Sequence, residues 1–204
     1  MRIFSLALLA LVLGLGGANW ALQGPLPLDI EATRLLQGVI DARASWIDGL
    51  SQTAGWPLIV ASTLVAGLFA ASLARLAGAA ALIGGVVIAM ASERLLRLAI
   101  HVPRPSADIV EVAKASASSG LPSTFAIFYG AACGGLILLA RRKRGREALA
   151  VQFVAWALLI IGCVGRVAAG GHWTSQVIAS AALGALAAIL ATRIAGLQSR
   201  GARR

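Results

Sequence analysis

The chain has 204 residues, of which 59% are hydrophobic and 13% charged, with a net charge of +10 and a mean hydropathy of +0.85. A soluble domain carries roughly 25% charged residues, so this composition excludes one, and the apolar residues fall in runs near the ~20 that a bilayer requires of a helix. The positive charge does not mark a nucleic-acid surface either. It is segregated rather than interleaved with aromatics, lying at Arg2, Arg75, the block Arg141, Arg142, Lys143, Arg144 and Arg146, and the tail Arg193, Arg200, Arg203 and Arg204.

Taken in order, Leu6 to Leu22 forms the core of a first span. Its length and the small residues Gly16, Gly17 and Ala18 also suit a secretory signal peptide, but a retained helix is expected, since the topology below needs it. Gly24-Pro25-Leu26-Pro27 breaks it. From Asp29 to Gly55, Leu35, Leu36, Val39, Ile40, Trp46, Ile47 and Leu50 recur at helical spacing between charges. That pattern predicts an amphipathic helix at the interface, anchored by Trp46 and Trp56.

Pro57 to Ala74 is the second span, Arg75 marks a tight turn, and Leu76 to Ile100 is the third, its end carrying Glu93, Arg94 and Arg97. Glu93 and Arg97 are spaced to pair at i,i+4. Residues 101–120 are a polar connection. Leu121 to Ala140, Ala148 to Val164 and Val177 to Ala191 are the remaining spans, followed by the basic tail. Cys133 and Cys163 lie inside apolar spans and read as packing residues. The expectation is an all-α integral membrane protein with six transmembrane helices, residues 1–204 forming one domain.

With the N-terminus inside, Arg75, the 141–146 block and the tail all fall inside, as cationic loops do. Segments 23–56, 101–120 and 166–175 fall outside. Ionisable groups beside a span are costly and mark function, and Arg97, Arg104, Ser123, Arg166 and His172 all fall on this outer side. Guanidiniums bind phosphate oxygens bidentately. A helix start at Pro122-Ser123 offers free N–H groups to an anion. A neutral histidine can attack phosphorus. The expected ligand is an amphiphile with a phosphate head group.

Three segments carry a family resemblance. Residues 97–105, Arg-Leu-Ala-Ile-His-Val-Pro-Arg-Pro, resemble the first motif, K-x6-R-P, of the type-2 phosphatidic acid phosphatases. Residues 122–125, Pro-Ser-Thr-Phe, are similar to the second, P-S-G-H, and 166–176, Arg-Val-Ala-Ala-Gly-Gly-His-Trp-Thr-Ser-Gln, to the third, R-x5-H-x3-D. Order and spacing agree. The resemblance implies a lipid phosphate or polyprenyl diphosphate phosphatase with His172 as the phosphorylated nucleophile. It implies that Arg97, Arg104, Ser123, Thr124 and Arg166, within 93–176, hold the phosphoryl group.

Two positions depart from the pattern. Phe125 stands where the family has a proton-donating His, and Gln176 where it has an Asp that orients the nucleophile. Gln176 can still accept a hydrogen bond from the His172 ring, and His101 is a candidate displaced acid. A diphosphate, whose leaving group is itself a phosphate, needs the acid least. The alternative is a pseudophosphatase that binds a lipid phosphate without turning it over. A transporter is disfavoured because the two halves show no repeat. His101 and His172 have no carboxylate cluster beside them, so neither a metal nor another cofactor is expected. In a bacterium the protein would lie in the inner membrane with both termini cytoplasmic.

Overall fold

In the computed structural model, residues 2–197 are described; the tail arginines Arg200, Arg203 and Arg204 lie outside the described residues. The described chain is all-helical. Its elements are α1 (Arg2–Leu22), α2 (Asp29–Gln37), α3 (Ser45–Gln52), α4 (Leu58–Ala99), α5 (Thr124–Ala140), α6 (Arg146–Ala168) and α7 (Thr174–Ile194). Of these, α1, α4, α6 and α7 are long and apolar enough to cross a membrane, and α5 is a shorter apolar helix.

The 42 residues of α4 do not run straight. Ala74 and Arg75 leave helical geometry, Arg75 with φ of +54°. Beyond them the chain returns along itself: a Cβ built on Gly67 would lie 3.6 Å from the Ile83 side chain, and one on Gly78 only 2.3 Å from the Ala70 carbonyl. The reversal falls where Arg75 interrupts the apolar run. Gly78 is required there because no side chain fits against that carbonyl.

The expected amphipathic helix over 29–55 is two short helices instead. Residues 38–44 turn, with the Asp41 Oδ1 accepting the Arg43 N–H at 2.8 Å, a local bond that competes with continued helix. Both pieces cover the end of α6. Leu36 of α2 and Ile47 of α3 pack on Ala168 and Ala169, and the Trp46 ring lies against Gly165. From α2, Arg34 and Gln37 donate to the carbonyls of Ile109 and Glu111, fastening the 100–123 connection over the bundle.

Helix α5 is central and almost wholly buried. A Cβ on Gly130 would come within 2.3 Å of the Ala181 carbonyl, and one on Gly184 within 2.1 Å of that of Ile127. Helices α5 and α7 thus touch backbone to backbone, the close packing that small residues allow in lipid.

Helix ends differ from the sequence expectation. Pro122 precedes α5 rather than opening it, because Ser119 Oγ bonds both the N–H and the carbonyl of Leu121 and Arg97 takes the Pro122 carbonyl. Helix α6 runs on to Ala168, so Arg166 is in its last turn and not in the following connection. Helix α7 starts at Thr174, since Gln176 Oε1 accepts the Trp173 N–H and satisfies its start. Trp173 itself is buried at 1% exposure.

Candidate active site

The C-terminal ends of α4 and α6, the N-terminal ends of α5 and α7, and the 100–123 connection meet at one end of the bundle. They bring His172, Arg97, Arg104, Arg166, Ser123 and Thr124 together through contacts that can be followed atom by atom.

His172 is buried, at 2% exposure. Its Nδ1 lies 2.8 Å from the Gly120 carbonyl. A carbonyl only accepts, so Nδ1 carries the hydrogen and Nε2 presents its lone pair. That Nε2 lies 3.4 Å from Arg104 Nη1. Burial, then the charges of Arg104 and Arg166, push the His172 pKa well below 6.5; the bond to Gly120 opposes them, and Arg97 adds a smaller push downward. The ring is therefore neutral at neutral pH, as a nucleophile must be.

Arg104 is fixed on three sides. Its Nε donates to the Ser118 carbonyl, Nη2 to Ser118 Oγ and Nη1 to the Gly171 carbonyl, each at 2.9 Å. Burial and the neighbouring Arg166 and Arg97 lower its pKa to about 10, which leaves it cationic at pH 7. Arg166 lies against Gly171 and donates from Nη1 to Ser51 Oγ of α3 at 3.2 Å. Its Nε is buried without a partner, as are Ser123 Oγ and Thr174 Oγ1. Buried polar atoms are nearly always bonded, and Arg166 and Ser123 carry two such unpaired atoms, at the end of α6 and the start of α5. The Ser123 N–H is held by Ser180 Oγ at 2.8 Å, and that hydroxyl donates to the Gln176 carbonyl.

Arg97 is placed differently from the other two guanidiniums. Its Nε is bonded to Glu93, Nη1 donates to the Ser119 carbonyl at 3.1 Å, and Nη2 to the Pro122 carbonyl at 2.7 Å and Thr124 Oγ1 at 3.2 Å. Thr124 Oγ1 in turn donates to Glu93 at 2.8 Å. Arg97 and the Thr124 hydroxyl thus clamp α4 to the start of α5. Thr124 has its backbone N–H at the helix start to offer an anion.

The expected bond between Gln176 and His172 is absent. Gln176 is fully buried; its amide accepts from the Trp173 N–H and donates to the Pro103 carbonyl at 2.8 Å. It presses on Gly120 so closely that a Cβ there would lie 2.7 Å from Gln176 Oε1. Gln176 therefore positions the residue whose carbonyl orients His172, one step removed from the ring. His101 is exposed; among the described residues its backbone carbonyl accepts from Gln23, and its ring has no hydrogen-bond partner there. Phe125 is a core residue, stacked on Tyr129 with ring centroids 4.4 Å apart and seated on Gly162 of α6.

Gly120, Ser118, Ser119 and Ser180 were not singled out in the sequence. The Ser-rich run before Pro122 is the one signal that points to the first three; nothing points to Ser180. Among the described residues, no three His, Cys, Asp or Glu side chains gather as metal ligands would.

A neutral histidine beside cationic arginines sets the pH response. A reaction that uses the His172 lone pair is expected to keep its full kcat/KM as pH falls through 6.5 and to decline only below it, because that profile reports groups of the unliganded protein. Stability follows the same direction. Below 6.5 the unfolded chain binds a proton that folded His172 resists, so stability falls with pH in that window. An acid limb at or above 6.5 would contradict the buried, arginine-flanked ring.

The fold is that of a helical multi-pass membrane protein, with three arginines gathered around His172 and the start of α5 at one end of its bundle. The model of the PAP2 superfamily matches residues 78–200, more than half of the chain and all three motifs, and the chain belongs to that superfamily. A solved structure with the same fold is that of the first transmembrane PAP2 type phosphatidylglycerolphosphate phosphatase from Bacillus subtilis. It superposes with a TM-score of 0.72 at 15% sequence identity, over 97% of this chain and 98% of that one. No protein of curated function aligns significantly with the chain.

Proposed function

We propose that this chain is a membrane phosphatase of lipid or isoprenoid phosphates and diphosphates, working through a phosphohistidine at the outer membrane face. One observation carries the reading: His172 is held neutral by the Gly120 carbonyl with its Nε2 lone pair beside Arg104, while Ser123 Oγ and Arg166 Nε lie buried and unpartnered. Family membership and the fold shared with an enzyme of lipid phosphate chemistry support it. The outer face follows from charge. Arg141 to Arg146 lie at the opposite end of α5 from Ser123, and a basic loop stays inside. With six crossings, this reading has both chain ends inside.

Nε2 attacks the terminal phosphorus, and the Nε2–P bond forms as the P–O bond to the leaving group breaks, the lipid alkoxide of a monophosphate or the lipid monophosphate of a diphosphate. Arg104, Arg166, Ser123 and the first N–H groups of α5 hold the phosphoryl oxygens, where developing charge is stabilised most. The ring, still protonated at Nδ1, gains positive charge, which the Gly120 carbonyl dipole offsets. A leaving alkoxide takes its proton from water; a leaving phosphate needs none. Water then attacks the phosphohistidine, releases inorganic phosphate and restores the lone pair.

Radiolabelled substrate quenched in alkaline detergent tests the intermediate. Label should remain on the wild-type protein, be released by acid as an N–P bond is, and be missing from His172→Asn. Label that survives in His172→Asn would overturn the phosphohistidine. The pseudophosphatase reading has its own support in Phe125, which is built into the core and offers no proton. Lipid phosphate binding with wild-type release no faster than that of His172→Asn would establish it.

A further inference from the structure

An apolar groove of about 250 Å³ opens between α1, the end of α4 and α7, lined by Gly16, Gly17, Leu96, Ile100, Leu121 and Pro122 among others. Leu121 and Pro122 lead directly into Ser123, and Ser180, which also lines the groove, holds the Ser123 N–H. The phosphate cradle and the groove therefore share a wall. The groove is smaller than the roughly 300–1,000 Å³ of sites for drug-sized ligands, which suits one hydrocarbon chain rather than two.

The α1 side of the groove is built in an unusual way. Helix α1 widens into a π turn over Val12–Gly16, a distortion frequently found at functional sites. Gly16 closes that turn and Gly17 follows it, and glycine is disfavoured against alanine inside a helix. At Gly130 and Gly184, between α5 and α7, a neighbouring backbone leaves no room for a Cβ. Here a Cβ on Gly17 would meet nothing within 4 Å, and one on Gly16 only Leu121 Cδ2 at 3.8 Å. Close packing by a neighbouring helix therefore does not account for either glycine on this side of the groove.

We infer that this groove seats the hydrocarbon chain of the substrate next to its phosphate, so that α1 sets chain specificity. This rests on the phosphatase reading above and extends it to the apolar half of the substrate. Gly16 touches none of the phosphate-holding groups, so filling the groove separates chain binding from chemistry.

The experiment compares wild type with Gly16→Phe on a long-chain prenyl diphosphate and on the chainless p-nitrophenyl phosphate. Each buried methylene is worth several-fold, so a ring that displaces two or more lowers long-chain kcat/KM about tenfold or more, through KM. Turnover of the aryl phosphate stays at the wild-type rate, which also shows that the variant is folded. Unchanged long-chain kcat/KM in a variant that retains aryl phosphatase activity overturns the inference.

A second readout requires no turnover. A long-chain phosphate bearing a diazirine in the chain should label residues 12–20 of wild type and not of Gly16→Phe. Labelling elsewhere, or equal labelling by a fatty alcohol lacking the phosphate, makes the groove a seat for bulk lipid and overturns the inference. Absence of aryl phosphate hydrolysis in wild type counts against the phosphatase reading instead, and the labelling pattern then decides the groove independently.

Discussion

His172→Ala lowers the rate of phosphate release by at least about 10³-fold, with little change in KM. Removing one member of a catalytic group that acts as a unit can cost as much as removing the whole group, up to about 10⁶ in kcat. The remaining positioning and charge stabilisation leave a residue of roughly 10³–10⁴ over water in such cases. Here that residue belongs to Arg104 and Arg166, whose anchors are Ser118, Gly171 and Ser51. Apart from the long Nε2–Arg104 contact, none of those anchors involves the His172 ring. Substrate binding therefore persists while the attacking lone pair is gone. Inorganic phosphate release from detergent-solubilised lipid diphosphate measures both parameters. A KM that rises in step with the fall in kcat/KM, at constant kcat, would make His172 a binding residue and sink the nucleophile.

The second large effect concerns the leaving group. A general acid is worth about 10²–10⁴-fold, and Phe125 occupies the position where the family resemblance expects one. Diphosphates should therefore be cleaved faster than alkyl monophosphates of the same chain by roughly that factor. Phe125→His should not close the gap. The side chain at 125 lies on Gly162 and Tyr129, in an apolar slot where burial disfavours the imidazolium that would donate the proton. An unpartnered imidazole nitrogen there costs about 1–3 kcal/mol of stability. The expected result is a variant with a lower melting temperature and an unchanged diphosphate-to-monophosphate ratio. A tenfold gain in monophosphate turnover would show that the side chain at 125 reaches the leaving oxygen after all.

His101 and Gln176 show how far chemistry can be read from residue type. Both were candidates because each carries a group that could do the work. His101 is exposed and its ring has no hydrogen-bond partner, whereas Gln176 acts through Gly120 and Pro103. The bond that Gln176 was expected to make is supplied by a main-chain carbonyl. Every residue carries one, so no sequence pattern could mark Gly120 for that role. Arg97 is similar: its spacing to Pro105 was legible, but Glu93 and Thr124, which clamp it, meet only when α4 and α5 are packed side by side.

By itself the sequence determined the membrane class, the reversal at Arg75, and the order of Arg104, Ser123, Arg166 and His172 along the chain. These depend on apolar runs, isolated charges and residue spacing, which are properties of a linear string. Tertiary structure alone decided where α5 begins, how 29–55 divides, which atom orients His172, and that Phe125 belongs to the core. Those outcomes depend on which carbonyls, hydroxyls and glycines face one another across helices. What reads along the chain as a row of arginines on one side of a membrane is, in three dimensions, a histidine held by a backbone carbonyl, with Arg104 and Arg166 on its side and Arg97 clamping α4 to α5.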